Sequence, residues 1–172
     1  MKKFAIAAAC ACLFTGLTHA AGPALNRMLD SVKLSTASIG FLADLDLARS
    51  EAFSRNASVV MCKSGDGESC SASGAWDQGW IVFVDANGNG LHEHGEKVIV
   101  RSPKLASNLR FSGDIRLFAL SPAGSVRLVG VEARSTTLTV CRESGESAEA
   151  RRITVAADGV SQMQRSIVGR CT

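Results

Sequence analysis

Tyrosine is absent from this 172-residue sequence, and tryptophan (2), proline (3) and histidine (3) are scarce. Each shortage narrows what the chain can do. Without Tyr, and with few Phe in the second half, there is no aromatic platform on which single-stranded bases would stack. One of the three histidines, His19, falls in the first twenty residues. His92 and His94 remain, two residues apart with no third ligand nearby, so they read as part of a solvated loop rather than a transition-metal centre. Neither Gly-x-Ser-x-Gly nor His-Glu-x-x-His occurs. Glu93 and Glu96 fall in a turn with nothing to pair them with a cleft, so no enzyme is expected. There is no Cys-x-x-Cys pair, which argues against a zinc site. Long apolar runs are missing too. The uncharged stretch Phe4–Leu17 is shorter than the roughly 20 residues a spanning helix needs.

What is present at the start reads as an export signal. Met1-Lys2-Lys3 supplies a positive n-region, Phe4–Leu17 an apolar core, and Thr18-His19-Ala20 small residues at the two positions a signal peptidase reads. A cleaved signal over residues 1–20 is therefore expected, with one mature domain over 21–172, a periplasmic or extracellular location and no stable membrane span after cleavage. An uncleaved N-terminal anchor is the rival. Cys10 and Cys12 sit in mid-run, the wrong place for lipoprotein processing. The mature chain keeps Cys62, Cys70, Cys141 and Cys171, an even number that in an exported protein reads as disulfides. Three pairings are open. In one of them Cys62 joins Cys70 locally, which leaves Cys141 for Cys171, and each bridge would contribute about 3 kcal/mol by loop entropy.

Charge is unevenly spread. Residues 21–97 carry 6 Lys/Arg against 10 Asp/Glu, whereas residues 98–172 carry 11 against 6. The basic half could face an anionic polymer, with duplex DNA first. The candidate contacts are Arg116, Arg127, Arg151, Arg152, Arg165 and Arg170, with Arg116 and Arg127 expected to face one another across the Pro122–Gly124 turn. Scattered arginines on exposed strand faces are the simpler alternative.

Periodicity gives the fold class. Leu25, Met28, Leu29, Val32, Ile39, Leu42, Leu45, Ala48 and Ala52 recur at threes and fours, predicting one helix from Leu25 to about Phe53 with a weak point at Gly40. After Asn56 come short β-branched or aromatic runs at Ser58–Cys62, Trp80–Val84, Lys97–Val100, Ile115–Leu120, Val126–Val129, Thr136–Cys141 and Arg151–Val155, each bounded by turn residues. This predicts an α+β domain, a long N-terminal amphipathic helix packed on a mainly antiparallel sheet. Trp76 and Trp80 are expected to pack together in its core.

One motif stands apart. Residues 85–96 read Asp-Ala-Asn-Gly-Asn-Gly-Leu-His-Glu-His-Gly-Glu, which fits the twelve-residue calcium-loop pattern at every specified position. Asp85, Asn87, Asn89, the Leu91 carbonyl, Glu93 and Glu96 would supply oxygens, and Gly90 the sharp turn. Strands rather than helices flank it, and an Asn/Gly-rich hairpin turn is the competing reading.

Several landmarks in order resemble the GspH/FimT family of minor pseudopilins. They are Leu47-Ala48-Arg49-Ser50-Glu51-Ala52, Arg55-Asn56 leading into Val59-Val60-Met61-Cys62, Trp76, Gln78-Gly79-Trp80-Ile81-Val82-Phe83, Asp85 with its Asn/Gly turn, Cys141, Arg151-Arg152-Ile153-Thr154-Val155 and Cys171. The resemblance implies a helix on an antiparallel sheet and a non-catalytic role in a type II secretion pseudopilus or type IV pilus. Its partners would be other pilin or pseudopilin subunits or the secretion machinery. Some members resemble DNA-uptake receptors. The sequence departs from the family in two places. Gly40-Phe41 is followed at the fifth position by Leu45 where a pilin helix has Glu, and Gly169-Arg170-Cys171 supplies only the first half of the Gly-Arg-x-Arg element of DNA-binding members.

Overall fold

A computed structural model describes residues 2–130, 134–143 and 147–171, with side chains from Leu25 onward except Arg27. The side-chain features read in the first twenty residues, and Gly22-Pro23, lie outside that description. By compactness the chain divides into residues 1–33 and residues 34–172. The first unit is helical throughout its described residues, being the first part of α1 (Lys2–Arg55). The helix therefore begins at Lys2 and not near Leu25. It ends where Asn56 takes a positive φ of 49°. There Ala57 N–H bonds the Ala52 carbonyl and Asn56 N–H the Phe53 carbonyl, both at 3.2 Å, closing a Schellman cap. Arg55 adds a cation at that end. The helix runs through Gly40, which faces open space, so its cost is only conformational. No helix among the described residues is long and apolar enough to cross a membrane.

Among its described residues the second unit contains the rest of α1 and nine strands, all paired antiparallel, in two sheets. The five-stranded sheet runs β3 (Val98–Ser102), β2 (Trp80–Asp85), β1 (Ser58–Lys63), β5 (Leu117–Leu120), β6 (Val126–Val129). The four-stranded sheet runs β4 (Leu109–Ser112), β7 (Ser135–Arg142), β8 (Ala148–Ala156), β9 (Ser161–Val168). Strands β4 and β9 were not expected, and the single expected sheet is divided in two. A bond from Val126 N–H to the Ala157 carbonyl links them at 2.9 Å.

One core holds helix and both sheets together. From α1 it takes Leu34, Phe41, Leu45, Ala48 and Ala52, with the buried Ser38 on the same line bonding back to the Leu34 carbonyl. These positions step by threes and fours along one face. The sheets contribute Val59, Met61, Val82, Phe111, Phe118, Leu138, Ile153 and Val155. Phe41 is central. Its ring meets those of Trp76, Trp80, Phe111 and Phe118 edge-on at centroid distances of 5.3, 5.4, 4.9 and 6.0 Å. Both indoles are buried and satisfied, Trp76 donating to the Ile115 carbonyl at 3.3 Å and Trp80 to Asp44 Oδ2 at 2.8 Å.

The expected buried stripe is half corrected. Leu45, Ala48 and Ala52 are buried, but Leu25, Met28, Leu29, Val32 and Ile39 are 50–67 % exposed. At 100° per residue Ile39 points away from the Leu34–Ala52 face, while the other four belong to the first unit. Two apolar stripes share one helix, and the sequence pattern merged them.

Candidate functional site

The other face of the five-stranded sheet carries a smaller apolar cluster of Val60, Cys62, Ile81, Phe83, Leu117 and Ala119. Two loops cover it. The first is closed by the Cys62–Cys70 disulfide and folded around Asp66. The Asp66 carboxylate takes the Ser69 hydroxyl and amide, the Glu68 amide and the Ser64 hydroxyl, which hold it below the usual carboxylate range. The second is residues 85–96, joining β2 to β3. His92 packs edge-on against Phe83 at 5.1 Å, and its ring nitrogens lie 2.5 Å from the Glu68 carbonyl and 3.2 Å from the Glu96 carbonyl. His94 is exposed.

The 85–96 loop draws the expected oxygen-bearing residues into one network. Asp85 is only 1 % exposed and accepts Asn89 N–H on Oδ1 (3.1 Å) and Gly90 N–H on Oδ2 (3.0 Å). Asn87 Oδ1 also accepts from Asn89 N–H, and Asn89 Oδ1 from Leu91 N–H. Glu96 spans the loop, taking Ala86 N–H on one oxygen and Glu93 N–H on the other. Glu93 accepts the side-chain amides of Asn87 (2.7 Å) and Asn89 (3.1 Å). Gly90 needs its φ of 77° where the loop returns over Leu117.

Of the six candidate arginines, strand pairing sets only Arg151 and Arg165 directly opposite one another. Arg151 is 1 % exposed, donating to Glu149, the Ala150 carbonyl and Ser35 Oγ. It is therefore an interior residue and not a surface contact. Arg127 stands opposite Ala119, while Arg116 precedes β5, so the expected facing pair is not formed. Arg152 pairs with Gln164, one place from Arg165, which puts the two arginines on opposite faces of the β8–β9 ladder. Arg170 is exposed beside the Cys141–Cys171 disulfide.

Two other perturbed groups have structural causes. Burial raises the Asp44 carboxyl, opposed by the Trp80 indole bond, and burial lowers the Lys63 amine, helped by Arg116. Lys63 donates to the Gly74 carbonyl. Among the described residues no cluster of three or more His, Cys, Asp or Glu side chains by itself forms a metal-binding group.

A long helix whose C-terminal half packs on antiparallel sheets, stapled by two disulfides, defines the pilin class of fold. Solved structures agree. The type IV minor pilin FimU of Pseudomonas aeruginosa superposes with a TM-score of 0.60 at 17 % identity, over 83 % of this chain and 97 % of that one. The minor pseudopilin EpsH of the Vibrio cholerae type 2 secretion system gives 0.53 at 13 % identity, over 77 % and 96 %. No curated protein sequence matches the chain. The family of type II transport protein GspH matches over residues 38–159, well over half the sequence, and the chain belongs to that family.

Sequence reasoning placed Ile39 in the buried stripe and left out Leu34 and Phe41, which the core takes instead; separating position 39 from 34, 38, 41 and 45 on a helical wheel would have found this.

Proposed function

We propose that the chain is a structural, non-enzymatic subunit of a type II secretion pseudopilus or type IV pilus. It works in the periplasm or outside the cell by protein–protein contact after residues 1–20 have directed its export. The observation that carries this reading is the second apolar stripe of α1. Leu25 is 58 % exposed, Met28 67 %, Leu29 50 %, Val32 54 % and Ile39 56 %. Apolar surface in such a row marks an interaction site rather than ordinary exposure. Its 3–4 spacing suits docking against another helix. Membership of the GspH family supplies the machinery in which the partner is sought.

Two measurements test this. Photo-crosslinking from Ile39 or Val32 in the native host should yield adducts with pilin-type or secretion subunits, while a probe at the exposed Arg152 on the sheet should not. Adducts at all positions alike, or none, would contradict the reading. N-terminal sequencing of the mature protein should begin at Ala21, and an intact Met1 would refute cleavage.

A further inference from the structure

We propose that the Asp85–Glu96 loop binds one calcium ion, a property independent of the assembly role above. Two separate observations point to that ligand. The first is the spacing in the sequence. Oxygen-bearing side chains stand at loop positions 1, 3, 5, 9 and 12, a glycine at 6, and Leu91 offers its carbonyl at 7. The second is charge. The loop holds three carboxylates, and among the described residues none of them forms an ion pair with Lys or Arg. Asp85 is in addition almost wholly buried. An ionised carboxylate removed from water without a counter-charge is costly, and a cation offsets that cost.

The donor chemistry selects the ion. The His92 ring nitrogens face the Glu68 and Glu96 carbonyl oxygens and His94 is exposed, which leaves an all-oxygen donor set suited to a hard cation. Carboxylate, amide and backbone oxygens in a loop rather than a rigid cage fit the larger, geometrically tolerant Ca²⁺ over Mg²⁺. The Asn87 and Asn89 Oδ1 atoms each keep a lone pair beside the backbone N–H they accept. The two Glu96 oxygens, each held by one N–H, are placed for bidentate contact. Because His92 ties the loop to Phe83 and to the Cys62–Cys70 loop, the ion would fix the cover over the outer sheet face and so stabilise the fold.

The test uses the full oxidised chain, stripped with EDTA and titrated with CaCl2 by calorimetry and thermal unfolding, with MgCl2 in parallel. The expected result is one ion per chain, half-saturation at about 10⁻⁴–10⁻³ M as in extracellular modules, and a Tm that rises with CaCl2 but not with equal MgCl2. Glu96→Gln should weaken binding at least about tenfold, as loss of a bidentate ligand requires; because Gln also gives up one of the two backbone N–H bonds, its Tm in EDTA should fall somewhat, and the calcium-dependent rise in Tm is what is compared. No heat and an unchanged Tm in excess CaCl2, or undiminished binding by Glu96→Gln, overturns the proposal. The unsubstituted titration decides even if the variant fails to fold.

Discussion

Replacing Phe41 by Ala should be among the most damaging single changes available in this fold, and changing its neighbour Gly40 to Ala among the few that help. Phe41 is fully buried and touches four aromatic rings drawn from the 3-10 turn at Trp76–Gln78, β2, β4 and β5. Truncating a buried Phe costs about 3–5 kcal/mol, and the lost edge-on ring contacts place this site at the upper end, about 4–5 kcal/mol. That is a large part of the roughly 5–15 kcal/mol holding an ordinary domain together. Gly40, one residue earlier, points at open space, with nothing within 4 Å of an added Cβ. There Ala should stabilise by about 0.5–1 kcal/mol through helix propensity and a less flexible unfolded chain. Urea unfolding of the oxidised protein measures both. If Phe41→Ala costs less than about 1 kcal/mol, α1 does not anchor the core through that residue and the packing argument fails.

Other consequences follow from particular residues. The bridges Cys62–Cys70 and Cys141–Cys171 close loops with separations of 8 and 30, so removing them by paired Cys→Ser changes should cost about 2.5 and about 3.6 kcal/mol, a rank order readable by urea unfolding. Partial burial raises the Asp44 carboxyl, so the folded state binds the extra proton. Stability should fall as pH rises from the ordinary carboxylate range through the raised value. Asp44→Asn, whose Oδ1 still accepts from Trp80, should remove that part of the pH dependence without loss of stability at pH 7. Gly79 has a φ of 107°, and an added Cβ would sit 2.5 Å from the Ser102 carbonyl. Gly79→Ala should therefore cost at least about 2 kcal/mol, measured the same way.

Much of the scaffold was legible in the sequence because local pattern and tertiary demand agree there. Val126–Val129 is a strand over the range its β-branched run predicts. Val59–Cys62 reads as continuous apolar because β1 is central and covered on both sides. What escaped did so for physical reasons. Strand β9 reads Ser-Gln-Met-Gln-Arg-Ser-Ile-Val, an edge strand with little to bury, so no period-2 pattern forms. Strand β4 is four residues long and pairs with β7 rather than with a sequence neighbour. Ile39 fits the same three-and-four spacing as its neighbours, and only the 100° advance per residue sets it apart from the buried Phe41. The calcium-type pattern was visible because its oxygen-bearing residues are local in sequence. The dispersion of the arginines was not, since strand register decides which face Arg152 and Arg165 occupy.

The most direct test of the central claim is complementation of a deletion in the native host with the Val32→Asp/Ile39→Asp double variant, scored by pilus assembly and type II secretion. Both side chains are more than half exposed, so the variant should be exported and accumulate with an unchanged Tm. The account predicts that it nevertheless fails to restore assembly or secretion. Full restoration by a chain carrying two carboxylates on that stripe would show that the outward face of α1 is not where this subunit makes its contacts.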